Sequence, residues 1–463
     1  MTTETTTLGR AGRLQARTRP VTGEVDLLAV AGEDGHLWVR GDQGFAGRGV
    51  ALRIPVPPGD PAEAAAAVQA ALGAIEVTGA SDTDAGSDAG HDSSADGRPD
   101  RVPGSGPVAL GALPFDPRQA GELVVPELLV ARLADGTAWV TTIRPASDDG
   151  FYSSSGSGSD ARNGGPATRP GTDGPVQAGD LVAPGPSAPG PTRFAVTSAR
   201  PPENWCAAVV AARDELRAGA ARKVVLAREV VIDTDRPLSR RAVLGQLRRA
   251  YPAAMLFASD GFVGASPELL VERVGDQVRS HPMAGTAPRS GDPTLDAQLA
   301  ARLVESTKDQ VEHRYTIDMV HDTLLPWCSY LDEEATPSIV AMANVQHLAT
   351  LVEGRLSSPA ASVIELMRAL HPTPAVNGAP RDVALGLIER YEHVDRGRYG
   401  GPVGWVDAAG NGAWTVGIRS AEIDGTRARL FAGVGVVADS DPEAELAETR
   451  AKLEALLNAI LRP

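Results

Sequence analysis

Lysine and cysteine are nearly missing from this sequence. Its 463 residues include two cysteines, Cys206 and Cys328, too few and too far apart for a disulfide framework or a thiolate metal site. That usage fits a reducing cytoplasm. Aromatic residues make up 4% of the chain, and no run of about 18 apolar residues occurs, so no segment reads as a membrane-spanning helix. The opening MTTETTTLGRAGRLQARTRP has no apolar signal core. Positive charge is also short: 44 Lys and Arg stand against 59 Asp and Glu, a formal net charge of −15. Nucleic acid and anionic membrane both reward basic patches, so the balance argues against either as a partner. An anionic small-molecule substrate would need local cations or a metal ion to offset the overall field.

Only three of the 44 basic residues are lysines: Lys223, Lys308 and Lys452. Such a bias replaces Lys wherever Arg serves, and the survivors then mark positions where Arg does not. Arg keeps its proton in a protein, whereas a Lys can lose it and act as a base. The alternative is survival by chance.

Two stretches, about 79–106 and 146–191, are rich in Gly, Ser, Asp and Pro and bury too little surface to offset ordering entropy. They read as disordered loop insertions in a single domain over 23–463 that follows an N-terminal tail, 1–22. Strand-like runs precede and separate them: EVDLLAVA, HLWVR, VALRIPV, LVVPELLVARL and TAWVTTIR. PAEAAAAVQAALGAI reads as a helix, as does the stretch from Pro-Pro201-202 to Gly219. KVVLAREVVI is a buried strand, and MLFASDGFVGAS and LLVERVGDQVRSHPM are hairpins. One long helix is expected over about 293–325, a meander over about 401–437 and a helix over about 442–461. Long antiparallel runs mixed with helices, without regular βαβ alternation, predict an α+β fold with large antiparallel sheets flanked by helices.

Asp309 and Glu312 sit at i,i+3 on one predicted helix. Glu445 and Glu448 sit at i,i+3 on another, with Lys452 one turn further along the same face. Four such carboxylates suit a hard dication such as Mg²⁺, and no His/Cys spacing favours zinc. Two solvated helix faces with ordinary charge pairs would look the same. Lys223 begins a fully apolar strand, where its ammonium either snorkels at the strand end or is desolvated enough to serve as a base. Glu268 follows a Gly-Ala-Ser-Pro turn and is, taken singly, an ordinary turn carboxylate. AGVGVV, with Gly433 and Gly435, reads as a loop after a strand that presents N–H groups to an anion, or as a mere tight turn. Arg419 falls in an apolar strand run and needs an anionic partner, either an internal carboxylate or a ligand.

From about residue 200 to the end the sequence resembles the chorismate-utilising enzymes, and among them the isochorismate synthases. The strings are PPENW, KVVLAR, GASPELL, PMAGT, KDQVEH, VQHLAT, LHPTPAVNG, YGGPVGWVD, TVGIRSAEI, LFAGVGVV and AELAETRAKLEALL. Residues 20–145 match only loosely, most clearly at VALGALPFDP. All three lysines fall inside the matched strings, which counts against chance.

The resemblance implies an isomerase that adds water to C2 of chorismate while the C4 hydroxyl leaves. Lys223 would be the base that activates the water and Glu268 the acid that protonates the leaving hydroxyl. Mg²⁺ on the substrate's ring carboxylate would be held by Glu312 and by Glu445 or Glu448, with Asp309 acting through water. Gly285 and Thr286 would contact the ring carboxylate, and His347 would contact the ring near the leaving group. Arg419, Tyr399, Gly433, Gly435 and Lys452 would bind the enolpyruvyl carboxylate. Relatives that transfer ammonia carry Gln at the position of Lys223. The aminodeoxychorismate relatives carry Lys at Ala284, and salicylate-forming relatives tend to carry Thr at Ala375. By this resemblance the first two positions imply water as nucleophile, and Ala375 implies that pyruvate elimination is a minor side reaction. The resemblance further implies a monomer whose product feeds menaquinone, a catechol siderophore or salicylate. A salicylate synthase and a non-catalytic chorismate-binding relative stand as alternatives.

Overall fold

The apolar run after Lys223 becomes a 12-residue strand, Lys223–Thr234, whose first ten residues are buried. It pairs antiparallel with Arg427–Val436, from Val224 opposite Val436 to Asp233 opposite Arg427. The computed structural model describes residues 13–78, 106–146, 174–185, 189–342 and 344–462. Among these, the pair lies in a sheet of 14 strands, a second sheet has nine strands and a third has three. Neighbouring strands are antiparallel almost throughout; Leu14–Thr22 alone runs parallel to two short partners, Glu76–Thr78 and Val176–Gln177.

The two large sheets share a core that includes Trp38, Phe45, Phe257 and Phe262 from one and Leu110 and Trp405 from the other. Helices cover the outer faces, as an α+β fold requires for burying the apolar side of each sheet. Helices Pro61–Gly73 and Val363–Leu370 send Val68, Leu72, Leu366 and Leu370 against Leu123, Leu270 and Trp414 of the nine-stranded sheet. Helices Arg240–Ala250 and Pro442–Leu461 send Leu244, Leu247, Leu453 and Leu456 against Ile232, Leu256 and Leu430 of the larger sheet. Among the described residues no helix is long and apolar enough to cross a membrane.

Several local expectations are corrected. The tail does not extend to residue 22, because Leu14–Thr22 pairs with Ala138–Pro145 from Leu14 opposite Pro145 to Val21 opposite Ala138. Of that strand only Ala16 is fully buried, so backbone pairing rather than an apolar pattern holds it, and the sequence carries little strand signal. The second insertion is shorter than expected: Val176, Ala178, Leu181 and Ala183 are buried, the first three in the core of the larger sheet. Residues 79–105, 147–173 and 186–188 lie outside the described residues. EVDLLAVA is not a strand; Leu27–Ala31 is a fully buried helical turn capped by Asp26, whose carboxylate accepts from the Leu28 N–H at 3.1 Å. A short all-apolar run has no readable period, which is why the sequence misleads there. The long helix is two, Pro293–Glu305 and Thr307–Leu324, because Ser306 turns extended and caps the second through the Asp309 N–H.

Candidate active site

The elements that carry the singled-out residues meet around one cavity of about 310 Å³. Lys223 stands at the cavity end of its strand, with Nζ 2.6 Å from Glu312 Oε1 and side-chain exposures of 11% and 19%. Gly435, opposite Val225 on the neighbouring strand, makes this possible. A Cβ at Gly435 would lie 2.4 Å from Lys223 Cε and 2.9 Å from Glu312 Oε1. A Cβ at Gly433 would lie 3.3 Å from the Tyr399 hydroxyl. Both glycines are thus inside strand Arg427–Val436 and not in a loop; what they supply is space.

Glu268 sits in the link between Phe262–Ser266 and Leu269–Val274. Its main chain is tied down: the N–H donates to Ser266 Oγ at 3.3 Å, and the carbonyl accepts from Thr415 Oγ1 at 2.6 Å. The side chain borders the cavity, buried, and its Oε1 has no hydrogen-bond partner. Burial pushes this carboxyl up to about 8, against smaller downward pulls from the Met283 N–H, Lys223 and Arg419. At neutral pH it is therefore an uncharged acid, its raised value set by desolvation.

His347 lies on strand Val345–Ala349, opposite Thr286 of Met283–Pro288. The register slips between Ala284 and Thr286, at Gly285, whose φ of +79° is open to glycine. His347 Nδ1 lies 3.2 Å from both the Gly285 carbonyl and Thr286 Oγ1, while Arg419 Nη2 donates to Nε2 at 3.3 Å. A ring nitrogen facing a carbonyl must carry the proton, and one facing a guanidinium must not, which fixes the neutral Nδ1–H tautomer. Burial first, then Arg419 and Lys452, push the ring down to about 3. Arg419 is not within a strand: it forms the crossover from Gly412–Val416 in the nine-stranded sheet to Ser420–Asp424 in the larger one, with φ of 52°. Among the described residues its buried guanidinium makes no ion pair, and Nε has no partner. Ala375, in the turn after helix Val363–Leu370, and Tyr399, stacked on Phe431 at 5.2 Å, close the wall.

Asp309 and Glu312 come from the first turns of helix Thr307–Leu324. Glu445, Glu448 and Lys452 come from one face of Pro442–Leu461. All five border the cavity. Lys452 Nζ lies 2.5 Å from Glu448 Oε1 and donates to the Gly433 carbonyl at 3.0 Å. Burial alone would raise the Glu448 carboxyl, but Lys452, with help from Arg419 and Lys223, outweighs it and leaves it lowered. The donors are all oxygen, so the set fits a hard dication in its chemistry. Among the described residues no three acidic or His/Cys groups converge tightly enough to hold an ion. Lysine ammonium groups hold Glu312 and Glu448 instead.

Residues 181–461, more than half of the chain, match the family described as chorismate binding enzyme. The chain belongs to that family. The isochorismate synthase DhbC of Bacillus subtilis is 41% identical over 270 residues, 56% of this chain and 68% of that protein. MenF of Mycobacterium tuberculosis is 37% identical over 374 residues, 77% of this chain and 87% of that protein. The crystal structure of DhbC from Bacillus anthracis superposes with a TM-score of 0.71 at 29% identity, covering 94% of this chain and 99% of that one.

Every residue assigned to the site in the sequence borders this one cavity: Lys223, Glu268, the four carboxylates, Gly285, Thr286, His347, Ala375, Tyr399, Arg419, Gly433, Gly435 and Lys452. Sequence reasoning passed over Val225, Pro267, Met283, Val376 and Ile418, which form much of its apolar wall. Apolar strand and turn positions look alike whether they face a core or a ligand. Their only signal is adjacency to Lys223, Glu268, Ala284, Ala375 and Arg419.

Proposed function

We propose that this chain is an isochorismate synthase, converting chorismate to isochorismate by adding water at C2 and releasing the C4 hydroxyl. One observation carries the reading: Lys223 and an uncharged carboxyl, Glu268, face one cavity that is also lined by Arg419, a buried guanidinium without an ion pair among the described residues. Lys223, in its neutral amine form, takes a proton from the attacking water. The ring double bonds shift as the C2–O bond forms and the C4–O bond breaks, and Glu268 gives its proton to the departing hydroxyl. Water is consumed and released, so the reaction is an isomerisation. Arg419, a buried guanidinium without a carboxylate partner among the described residues, binds the enolpyruvyl carboxylate together with Tyr399 and Lys452. The neutral His347 presents no charge to the ring.

Glu312, Glu445 and Glu448, with Asp309, are the residues that would hold Mg²⁺. Once bound, the ion would supply Lewis-acid withdrawal of electron density from the substrate. Ala375 and Ala284 leave room for water where other relatives place bulkier or charged side chains. Both cysteines are free and half-buried, which supports a reducing compartment. The test is product identification by chromatography after incubating the purified protein with chorismate, with Mg²⁺ and with a chelator. Isochorismate that forms only with Mg²⁺ is expected. Salicylate as the main product, or no turnover at any Mg²⁺ concentration, would overturn the reading.

A further inference from the structure

Behind the cavity wall, Glu392 and Arg396 form an ion pair almost sealed from water, with side-chain exposures of 1% and 3%. Arg396 Nε donates to Glu392 Oε1 at 2.7 Å and Nη2 to Oε2 at 2.6 Å, a two-point contact that satisfies both carboxylate oxygens. The same guanidinium reaches two main-chain carbonyls on different elements. Nη1 donates to the Val376 carbonyl at 2.8 Å and Nη2 to the Val225 carbonyl at 2.9 Å. Its face lies 4.1 Å over the Phe115 ring. Glu392 Oε2 also accepts from the Ala227 N–H at 2.8 Å, and the Val225 N–H donates to the Asn377 carbonyl at 2.8 Å.

Val225 lies two residues after Lys223 and Val376 directly after Ala375, and both border the cavity. We propose that Arg396 is a positioning residue: it fixes the strand that carries the base against the turn that carries Ala375. The proposal rests on the isochorismate synthase reading of this site. As a stabiliser alone a buried ion pair is weakly justified, since an apolar pair of similar volume often does as well. What a guanidinium offers, and a Lys or an apolar side chain does not, is a planar fork that serves a carboxylate and two carbonyls at once. Of the groups assigned to the substrate's carboxylates, Arg419 and Lys452 lie on other elements, and Tyr399, 6.0 Å from the Arg396 guanidinium, is held separately by its stacking on Phe431. Loosening the clamp therefore disturbs the approach of water to the ring and leaves substrate binding in place.

The test compares the full-length enzyme with Arg396→Lys, which keeps a positive charge beside Glu392 but cannot reach both carbonyls. Steady-state assays should show kcat reduced about tenfold or more, KM for chorismate within about twofold, and a larger share of pyruvate among the products. Ile143→Ala, a cavity at a buried position of strand Ala138–Pro145, which pairs with Leu14–Thr22 and Leu128–Arg132 and not with the clamped strand, should lower Tm and leave kcat and the product ratio alone. Wild-type kcat and product ratio in Arg396→Lys would overturn the proposal, as would a kcat loss matched by Ile143→Ala at equal loss of Tm. If Arg396→Lys does not fold, Phe115→Leu, which removes the ring beneath the guanidinium, must show the same kcat-only loss or the proposal falls. Hydrogen exchange separates the two layers of the argument. Faster exchange of the Val225 amide in Arg396→Lys supports the clamp even if the wild type makes no isochorismate, and unchanged exchange overturns it even if it does.

Discussion

Lys223 and Glu312 meet at 2.6 Å although one begins a strand and the other lies in the second turn of a helix. Gly435 is the reason they can. An alanine there would place its Cβ 2.4 Å from Lys223 Cε, which real structures do not tolerate, but the obstructing atoms are the far end of a flexible side chain. The amine should therefore swing away at little cost to folding. Gly435→Ala is expected to lower kcat by about 10²-fold, the order that an ångström of misplacement brings, with Tm within a few degrees of wild type. Steady-state kinetics beside a thermal melt check this. A variant with near-normal kcat would show that the position of the amine is not critical.

The amine itself can be tested by two substitutions that separate charge from proton transfer. Lys223→Ala should lose about 10²–10⁴-fold in kcat, the usual weight of a general base. Lys223→Arg should recover little of it, because a guanidinium beside Glu312 keeps the cation but cannot release a proton. An active Lys223→Arg enzyme would make position 223 an electrostatic group and leave the base to be found elsewhere. The result also bears on the rarity of lysine in this chain, since Lys223 is one of only three.

The helices and strands that frame this site were legible because their patterns are long. KVVLAREVVI, the Asp260-Gly261 hairpin and the helix after Asp441 all form where the sequence places them. Four carboxylates at helical spacing on two helices could be read as a set, and the structure brings both helices to one cavity. Illegible were features decided by contacts distant in sequence. Leu14–Thr22 is a strand because Ala138–Pro145 is available to pair with it. Arg419 leaves its strand because the chain changes sheets there. The apolar wall at Val225, Val376 and Ile418 carries the same hydrophobic signal as the core behind it. Nor does spacing reveal that Gly433 and Gly435 matter for the volume they leave empty.

Ala375 borders the cavity in the turn closed by the Val376 and Asn377 N–H groups, both of which donate to the Thr373 carbonyl, at 3.1 and 3.0 Å. A threonine there would project a hydroxyl and a methyl group into the space beside the ring. Ala375→Thr is expected to raise the fraction of chorismate that ends as pyruvate and an aromatic product, while total turnover falls by less than about tenfold. An NMR time course that follows isochorismate and pyruvate together would measure the ratio. An unchanged ratio would mean that this side chain does not govern the fate of the ring.

Glu268 gives the sharpest pH dependence. Burial lifts its carboxyl from 4.5 to about 8, so the acid form persists through neutrality and is lost as the pH rises through about 8. The rate should show an alkaline limb there, and Glu268→Gln, which has no such proton to give, should fall by about 10²–10⁴-fold in kcat. The same shift acts on stability. In the unfolded chain the group ionises near 4.5, whereas in the fold it keeps its proton to about 8. Between those values the folded state binds more protons, so raising the pH weakens the fold, and above about 8 the penalty stays constant. Glu268→Gln removes that dependence. Its Tm relative to wild type should therefore climb steadily from pH 5 to pH 8 and then level off. A difference that stays flat over that range would mean the wild-type carboxyl ionises at an ordinary pH, and Glu268 could not then serve as the acid.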